Sequence, residues 1–337
     1  MNKRFRTIFQ YIFFLGLGLF LVWWSVKDLN NDQQSQIRSA IRNARYYLII
    51  PVFLILFLSH YIRAIRWRLL IEPMGFSPSR ANTFFAVMIG YLANQALPRL
   101  GEVLKCTVLA RYEKIPADKL IGTIILERVI DAITLILIFG ITLVIQPGIY
   151  VQLLDTFFNS SSGETGKGMS VWLIAATGIG IIAALAAIWM YIKKKSLNDL
   201  AALVKKTGKS IWQGISAIQH LKKRRLFILL TITLWTLYLT GGYIGFMALQ
   251  QTEQYGIKEA FTILSAGSVG MIVTPGGIGA YPFIIQQTMM LYKLESGFAL
   301  AFGWLLWLAQ TSVILLGGLI SFMAIPWYNK KKQQQTT

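Results

Sequence analysis

Apolar residues run along this chain in long stretches, and two of those stretches are interrupted halfway by a short polar knot. Six uninterrupted runs, at about 7–26, 46–62, 120–145, 171–192, 226–249 and 298–325, approach the roughly 20 residues that a helix needs to cross the hydrocarbon layer. They predict six spanning helices. The interrupted stretches lie at about 82–112 and 260–293. The first breaks at Asn94-Gln95-Ala96-Leu97-Pro98-Arg99-Leu100-Gly101-Glu102, the second at Thr274-Pro275-Gly276-Gly277-Ile278-Gly279. Pro98 and Pro275 stop a helix, and Gly101 and the glycines after Pro275 let the backbone turn tightly. Backbone that leaves the helix at membrane depth survives only where protein or a water-filled cavity satisfies it. A pair of such breaks in the two halves of a membrane chain points to a substrate site. Each arm is shorter than a comfortable crossing, so the pattern predicts two re-entrant helical hairpins entering from opposite faces. The alternative is that all four arms cross fully, giving ten spans with the same loop sides. The expected fold is an all-α polytopic membrane protein, with residues 1–330 as one transmembrane domain and 331–337 as a disordered tail.

Composition agrees: 55% of the 337 residues are apolar, 14% are charged and the mean hydropathy is +0.55, which excludes an ordinary soluble domain. The first run follows Lys3, Arg4 and Arg6 but ends in Trp23-Trp24 without a small-residue cleavage site, so it reads as a retained span. A net charge of +19 would point to nucleic acid in a soluble chain. Here most of the 33 Lys and Arg fall in the gaps at 3–6, 63–80, 99–119, 193–225 and 330–332, which is the positive-inside pattern. No nucleic-acid partner is expected, and these gaps, with both termini, are assigned to the cytoplasmic side of the plasma membrane. The basic segment 193–225 is either a surface helix drawn to anionic lipid or an ordinary basic loop. The stretch 146–170, rich in Ser, Gly and Thr, reads as an external loop. One gap breaks the pattern: 27–45 should be external, yet it carries Lys27, Arg38, Arg42 and Arg45. Three of these share one helical face opposite Ile37, Ala40, Ile41 and Ala44, which predicts an amphipathic helix lying in the outer interface. Cys106 is the one cysteine, and His60 and His220 are far apart, so neither a disulfide framework nor a metal site nor a cofactor is expected.

Ionisable side chains at membrane depth cost about 2.5–3.5 kcal/mol each on insertion scales, so each calls for a role or a partner. At the first break, Asn94, Arg99, Glu102 and Lys105 surround a helix start whose free N–H groups attract anions. Arg99 supplies planar donors and Lys105 a second positive charge one turn on, which makes this tip a candidate phosphate receiver. The alternative is that Arg99 and Glu102 pair with each other and shape the turn. At the second break, Gly276, Gly277 and Gly279 leave room for a ligand to approach, although a tight turn selects the same glycines. Arg63 and Arg66, at the cytoplasmic end of the second run, are candidates for holding lipid phosphate, while Trp67 and Arg68 read as interfacial anchors. Glu127, Arg128 and Asp131 fall within one span. Two acids and one base leave a carboxylate over, which must find Arg99, Lys105 or a proton. This trio is either a structural ion network or a site of proton or cation coupling. Hydrolysis or group transfer would want a nucleophile with a positioned base, and neither a Ser/His pair nor ligand spacing is present, so enzymatic activity is not expected.

Taken together, Arg63-Ala64-Ile65-Arg66-Trp67, Asn94 through Glu102, Glu127-Arg128-Val129-Ile130-Asp131 and Pro275-Gly276-Gly277-Ile278-Gly279 resemble, in order, the transmembrane region of lysylphosphatidylglycerol synthases and related stand-alone flippase-like membrane proteins. The resemblance covers about residues 10–325. It implies movement of a lipid with a large or charged headgroup between leaflets, with anionic membrane lipids as partners. In the full-length synthases a separate soluble domain makes the aminoacyl lipid, and synthesis is not expected of this chain. A non-transporting accessory role beside a cytoplasmic lipid-modifying enzyme is the alternative. The family often carries a glutamate shortly after the Pro-Gly-Gly-x-Gly run, where this chain has Pro282, so a mechanism that needs a carboxylate there is not expected of this chain.

Overall fold

A computed structural model describes residues 3–27, 29–97, 100–149 and 221–334, and over these the chain is helix and turn without strands. The described helices are α1 (Lys3–Val26), α2 (Asn31–Arg42), α3 (Ile49–Ile71), α4 (Arg80–Ala96), α5 (Leu100–Glu113), α6 (Ala117–Ile145), α7 (Arg224–Phe246), α8 (Ile257–Val273), α9 (Ala280–Leu291) and α10 (Ser296–Gln334). The chain divides into two compact units, Met1–Glu127 with Leu221–Thr337, and Arg128–His220. The second is described through the remainder of α6 and a turn at 147–149.

Four described stretches are long and apolar enough to cross a membrane: Tyr46–Met74, Ala117–Ile145, Arg224–Phe246 and Ser296–Lys331. They fall on four of the six expected spans, and the chain is a helical integral membrane protein. α1 covers the first expected run. The run at 171–192 lies outside the described residues, as do 193–220 of the basic segment and 150–170 of the expected external loop. Interfacial aromatics mark one boundary: Trp23 and Trp24 at the end of α1 are exposed, and the Lys27 ammonium lies 5.0 and 4.0 Å from their ring centroids.

The two interrupted stretches are helix–turn–helix hairpins. In the first, the Ser79 hydroxyl caps α4 by accepting from Asn82 N–H at 3.1 Å. α4 stops at Ala96 and Leu97 is extended, while Pro98 and Arg99 lie outside the described residues. α5 then returns so close to α4 that a Cβ on Gly101 would collide with the Gly90 carbonyl oxygen. In the second hairpin, the Gly256 N–H donates to Glu259 at 2.7 Å at the start of α8. The helix ends at Val273, and Gly276, Gly277 and Gly279 turn the chain with φ of 59°, 71° and 72°, a region that side chains disfavour. Pro282 sits in the first turn of α9, where its missing N–H is no loss.

α10 is the common spine. Its 39 residues extend about 58 Å. A Cβ on Gly303 would meet the Pro282 carbonyl oxygen at 2.6 Å, and Cβ atoms on Gly317 and Gly318 would meet Met88 Cε and Leu92 Cβ at 2.6 and 2.7 Å. α10 therefore packs closely on both α9 and α4. Two apolar cores result. One joins Ala64, Trp67 and Ile71 of α3 to Val87 of α4, Leu109 of α5 and Leu120 of α6. The other gathers Phe246, Ile263, Tyr281, Met289 and Phe302 around α8 and α9.

Two expectations change. The apolar face of α2 does not lie in lipid: Ile37, Ala40 and Ala44 pack on the second core. Gln36 hydrogen-bonds the Glu295 carboxylate and accepts from Gly297 N–H at 3.1 Å. An N-terminus of α10 with donors to satisfy, beside an open apolar surface, is a better partner than the bilayer. The tail expected from 331 is helical to Gln334, and residues 335–337 lie outside the described residues. The end of α10 is held because Asn329 exchanges hydrogen bonds of 2.9 and 2.7 Å with Asn82 at the start of α4. Lys331 lies 5.6 Å from the Trp327 ring.

Candidate functional site

α3 turns one face toward α5 and α6, and within the apolar stretch Tyr46–Met74 that face carries Arg63, Arg66 and Trp67. The spacing of three between the arginines puts them one turn apart. α6 presents Glu127 to them, and α5 presents Lys105. The Glu127 side chain is 0% exposed. Its Oε2 accepts from Lys105 Nζ at 2.8 Å, while Oε1 accepts from Arg66 Nη2 at 3.4 Å and lies 3.8 Å from Arg63 Nη1. The surrounding rings complete the cradle. Lys105 Nζ is 4.0 Å from the Trp67 ring centroid, and Trp67 Nε1 donates to Thr123 Oγ1 at 2.8 Å. Arg63 donates to the Tyr238 hydroxyl at 3.1 Å and lies 5.9 Å from the Tyr91 ring. Charge in a medium of low dielectric interacts strongly, so this cluster binds α3, α5 and α6 to one another.

The hairpin tips form the second part of the site. Asn94 Oδ1 accepts from Gly101 N–H at 2.8 Å, which satisfies one free donor at the start of α5 and tightens the first turn. A Cβ on Gly276 would collide with the Gln95 side chain, so the tip of the second hairpin lies against the last turn of α4. Trp307 Nε1 on α10 donates to the Gly276 carbonyl at 2.8 Å. Thr274 Oγ1 donates to the Ile278 carbonyl at 2.9 Å. On its other side the turn meets α1: a Cβ on Gly18 would lie 2.7 Å from the Ile278 carbonyl oxygen, and one on Gly279 would collide with the Gly18 carbonyl. The backbone released by the break is thus packed against α1, α4 and α10.

Among the residues singled out from the sequence, Arg63, Arg66, Lys105 and Glu127 come together. Asn94 and Gly101 make one turn, and Pro275, Gly276, Gly277 and Gly279 make the other. Lys105, expected beside Arg99 as a free receiver of phosphate, is 4% exposed and turned to Glu127 and Trp67. One turn into α5, its stem faces the α3 and α6 side of the hairpin, where the carboxylate lies. Arg63 and Arg66 likewise face the bundle rather than an interface. Glu102 is half-buried in the first turn of α5, and Arg128 and Asp131, both half-buried, belong to the other compact unit. Pro98 and Arg99 lie outside the described residues. Trp307, Gly18 and Tyr238 were not anticipated, and Gln95 was read as part of the first break but not as a contact of the second. The surplus acid on α6 signalled a distant cation, but nothing local pairs an α3 arginine with it.

The family described as lysylphosphatidylglycerol synthase TM region matches residues 11–318. The chain is 30% identical over 86 residues to the UPF0104 membrane protein MJ1595 of Methanocaldococcus jannaschii, covering 25% of this chain and 26% of that one. It is 22% identical over 320 residues to the glycosyltransferase AglD of Haloferax volcanii, covering 86% of this chain and 51% of the relative. The chain therefore spans about a quarter and about half of the lengths of these two curated relatives. No solved structure matches.

Proposed function

The chain belongs to the lysylphosphatidylglycerol synthase transmembrane-region family, and from that premise we propose that it is a lipid translocator, moving a phospholipid or another anionic lipid-linked headgroup between leaflets. The observation that carries this reading is the meeting of two broken helices inside an apolar bundle, Gln95 of one tip against Gly276 of the other. Polar backbone at that junction offers a headgroup a path that lipid-facing helices do not. Both hairpins are re-entrant in this scheme, from opposite faces. α5 and α9, with 14 and 12 residues, extend only about 21 and 18 Å against roughly 30 Å of hydrocarbon.

Arg99 and the N-terminal amides of α5 and α9 receive the phosphate, and the glycines at 276–279 let it come close. The Glu127 cluster holds the first hairpin in register, and rocking of one hairpin-bearing half against the other exposes the junction to each leaflet in turn. No covalent step and no cofactor are involved. In this reading both termini are cytoplasmic and the membrane is the plasma membrane, which the positive-inside pattern of the basic gaps supports. Proteoliposomes carrying a fluorescent anionic phospholipid test the proposal. The wild-type chain accelerates its exchange between leaflets, and Arg99→Ala and Gly276→Leu each lower the rate at least tenfold. Unchanged exchange in Arg99→Ala removes that residue from the site, and no acceleration by the wild type removes the function.

A second reading draws on the relative named a glycosyltransferase, of which this chain spans 51%. Here the membrane region binds lipid beside a cytoplasmic lipid-modifying enzyme and moves nothing. Protein that retains lipid but never redistributes it across a bilayer supports that reading over the first.

A further inference from the structure

An apolar groove, open on one side, lies between the α2–α3 junction, the end of α7 and α10. Its walls include Ala44, Val52, Gly245, Ala248, Leu306 and Ala309, and its charged lining residue is Arg45. Small residues on three elements leave the space that larger ones would fill. Gly245 is already tight against α10, since a Cβ there would meet Leu306 Cδ2 at 2.5 Å.

The depth of the groove identifies what it faces. The membrane-crossing stretch that contains α3 begins at Tyr46, and Tyr46 and Tyr47 are 52% and 67% exposed, as aromatic residues at a lipid headgroup level are. From that rim the groove reaches Val52, about 9 Å farther along the helix and within the hydrocarbon. Its rim is basic. Arg38 and Arg42 are exposed one turn apart on α2 just before the junction, with the exposed Ile41 between them. Arg45 pairs with Glu253 and donates to the Met247 carbonyl at 3.4 Å, which fixes the wall beneath them. Asp32 lies in the first turn of α2, at the far end from the groove.

We infer that this groove seats one acyl chain of an anionic phospholipid whose phosphate is drawn to Arg38 and Arg42, a lipid site separate from the hairpin junction. It is a resident site: apart from Arg45 and Tyr46, the residues that line the groove are apolar or glycine. The bound lipid fills the gap between α3, α7 and α10, and links α2 to the membrane through its polar face rather than its apolar one.

Native mass spectrometry of the purified full chain tests this, with dioleoyl phosphatidylserine or dioleoyl phosphatidylcholine added in equal amounts so that only the headgroup differs. The wild type retains at least tenfold more phosphatidylserine than phosphatidylcholine. Ala248→Trp, or Ala309→Phe if the first does not fold, fills the groove and lowers the phosphatidylserine adduct at least tenfold. Arg38→Gln with Arg42→Gln brings the preference below about twofold while the phosphatidylcholine adduct stays as in the wild type. Gln95→Ala, which alters the hairpin junction, leaves the adduct intact. Retention of phosphatidylserine by both groove-filled variants, absence of a headgroup preference in the wild type, or loss of the adduct in Gln95→Ala overturns the inference. The last result would assign the lipid to the hairpins instead.

Discussion

The first hairpin, α4–α5, is anchored at its flank by ionised side chains, whereas the second, α8–α9, is packed through glycines against a tyrosine, a tryptophan and a neighbouring helix. Lys105 reaches Glu127 beside Arg63 and Arg66. On the other side, Cβ atoms on Gly267 and Gly270 would meet the ring and backbone of Tyr281 at 2.7 Å. These are two different ways of holding a helix break in an apolar bundle. Ion clusters in low dielectric are high-stakes, strong when complete and costly when one member is removed. Close backbone packing depends instead on what does not project from the chain, and it is insensitive to charge. The first hairpin is therefore held in place by charge, and the second by close backbone packing.

The largest effect is expected where the charge lies. Glu127→Ala removes the carboxylate that three cations face and lowers stability by about 3–5 kcal/mol, measured by unfolding in detergent. A change under about 1 kcal/mol would mean that the cluster does not hold the first hairpin. On the second hairpin, Gly276→Ala forces a side chain into positive φ and against Gln95. It costs about 1–3 kcal/mol, and Gln95→Ala in the same chain recovers part of it. Strict additivity of the two changes would show that the tips do not touch. Tyr238→Phe removes one hydrogen bond to Arg63 and costs about 0.5–1.5 kcal/mol. The smallest effect belongs to Lys223→Ala. Its 3.0 Å pair with Glu72 has a 58% exposed lysine, so the loss stays within about 1 kcal/mol and shrinks with salt.

The long apolar runs were readable because a spanning helix must be apolar over a length that the bilayer imposes, and five of them stand as described helices, four of these long and apolar enough to cross. The breaks were readable because proline and clustered glycines act locally: α4 ends at Ala96 and α8 at Val273, beside Pro98 and Pro275. Contacts between distant segments left no such local mark. The surplus acid on α6 required a cation, and Lys105 was among those considered, yet Arg63 and Arg66 looked like interfacial residues because a sequence does not show which way a helix face turns. Ile37, Ala40 and Ala44 fit a lipid surface and the α10 surface equally well by pattern, and packing chose the second. The charged end of α10 looked like a loose tail because the Asn82–Asn329 exchange joins residues 247 positions apart.

The claim that a headgroup passes between the two tips is tested most directly by joining them. With Cys106 replaced by alanine, Gln95→Cys and Gly276→Cys introduce a pair of thiols at the junction, where a Cβ on residue 276 falls 3.5 Å from the Gln95 Cα. Leaflet exchange of a fluorescent anionic phospholipid is then followed in proteoliposomes before oxidation, after oxidation and after reduction. The account predicts that a disulfide forms, exchange stops and reduction restores it. Undiminished exchange through the cross-linked protein, or thiols that never join, would contradict it.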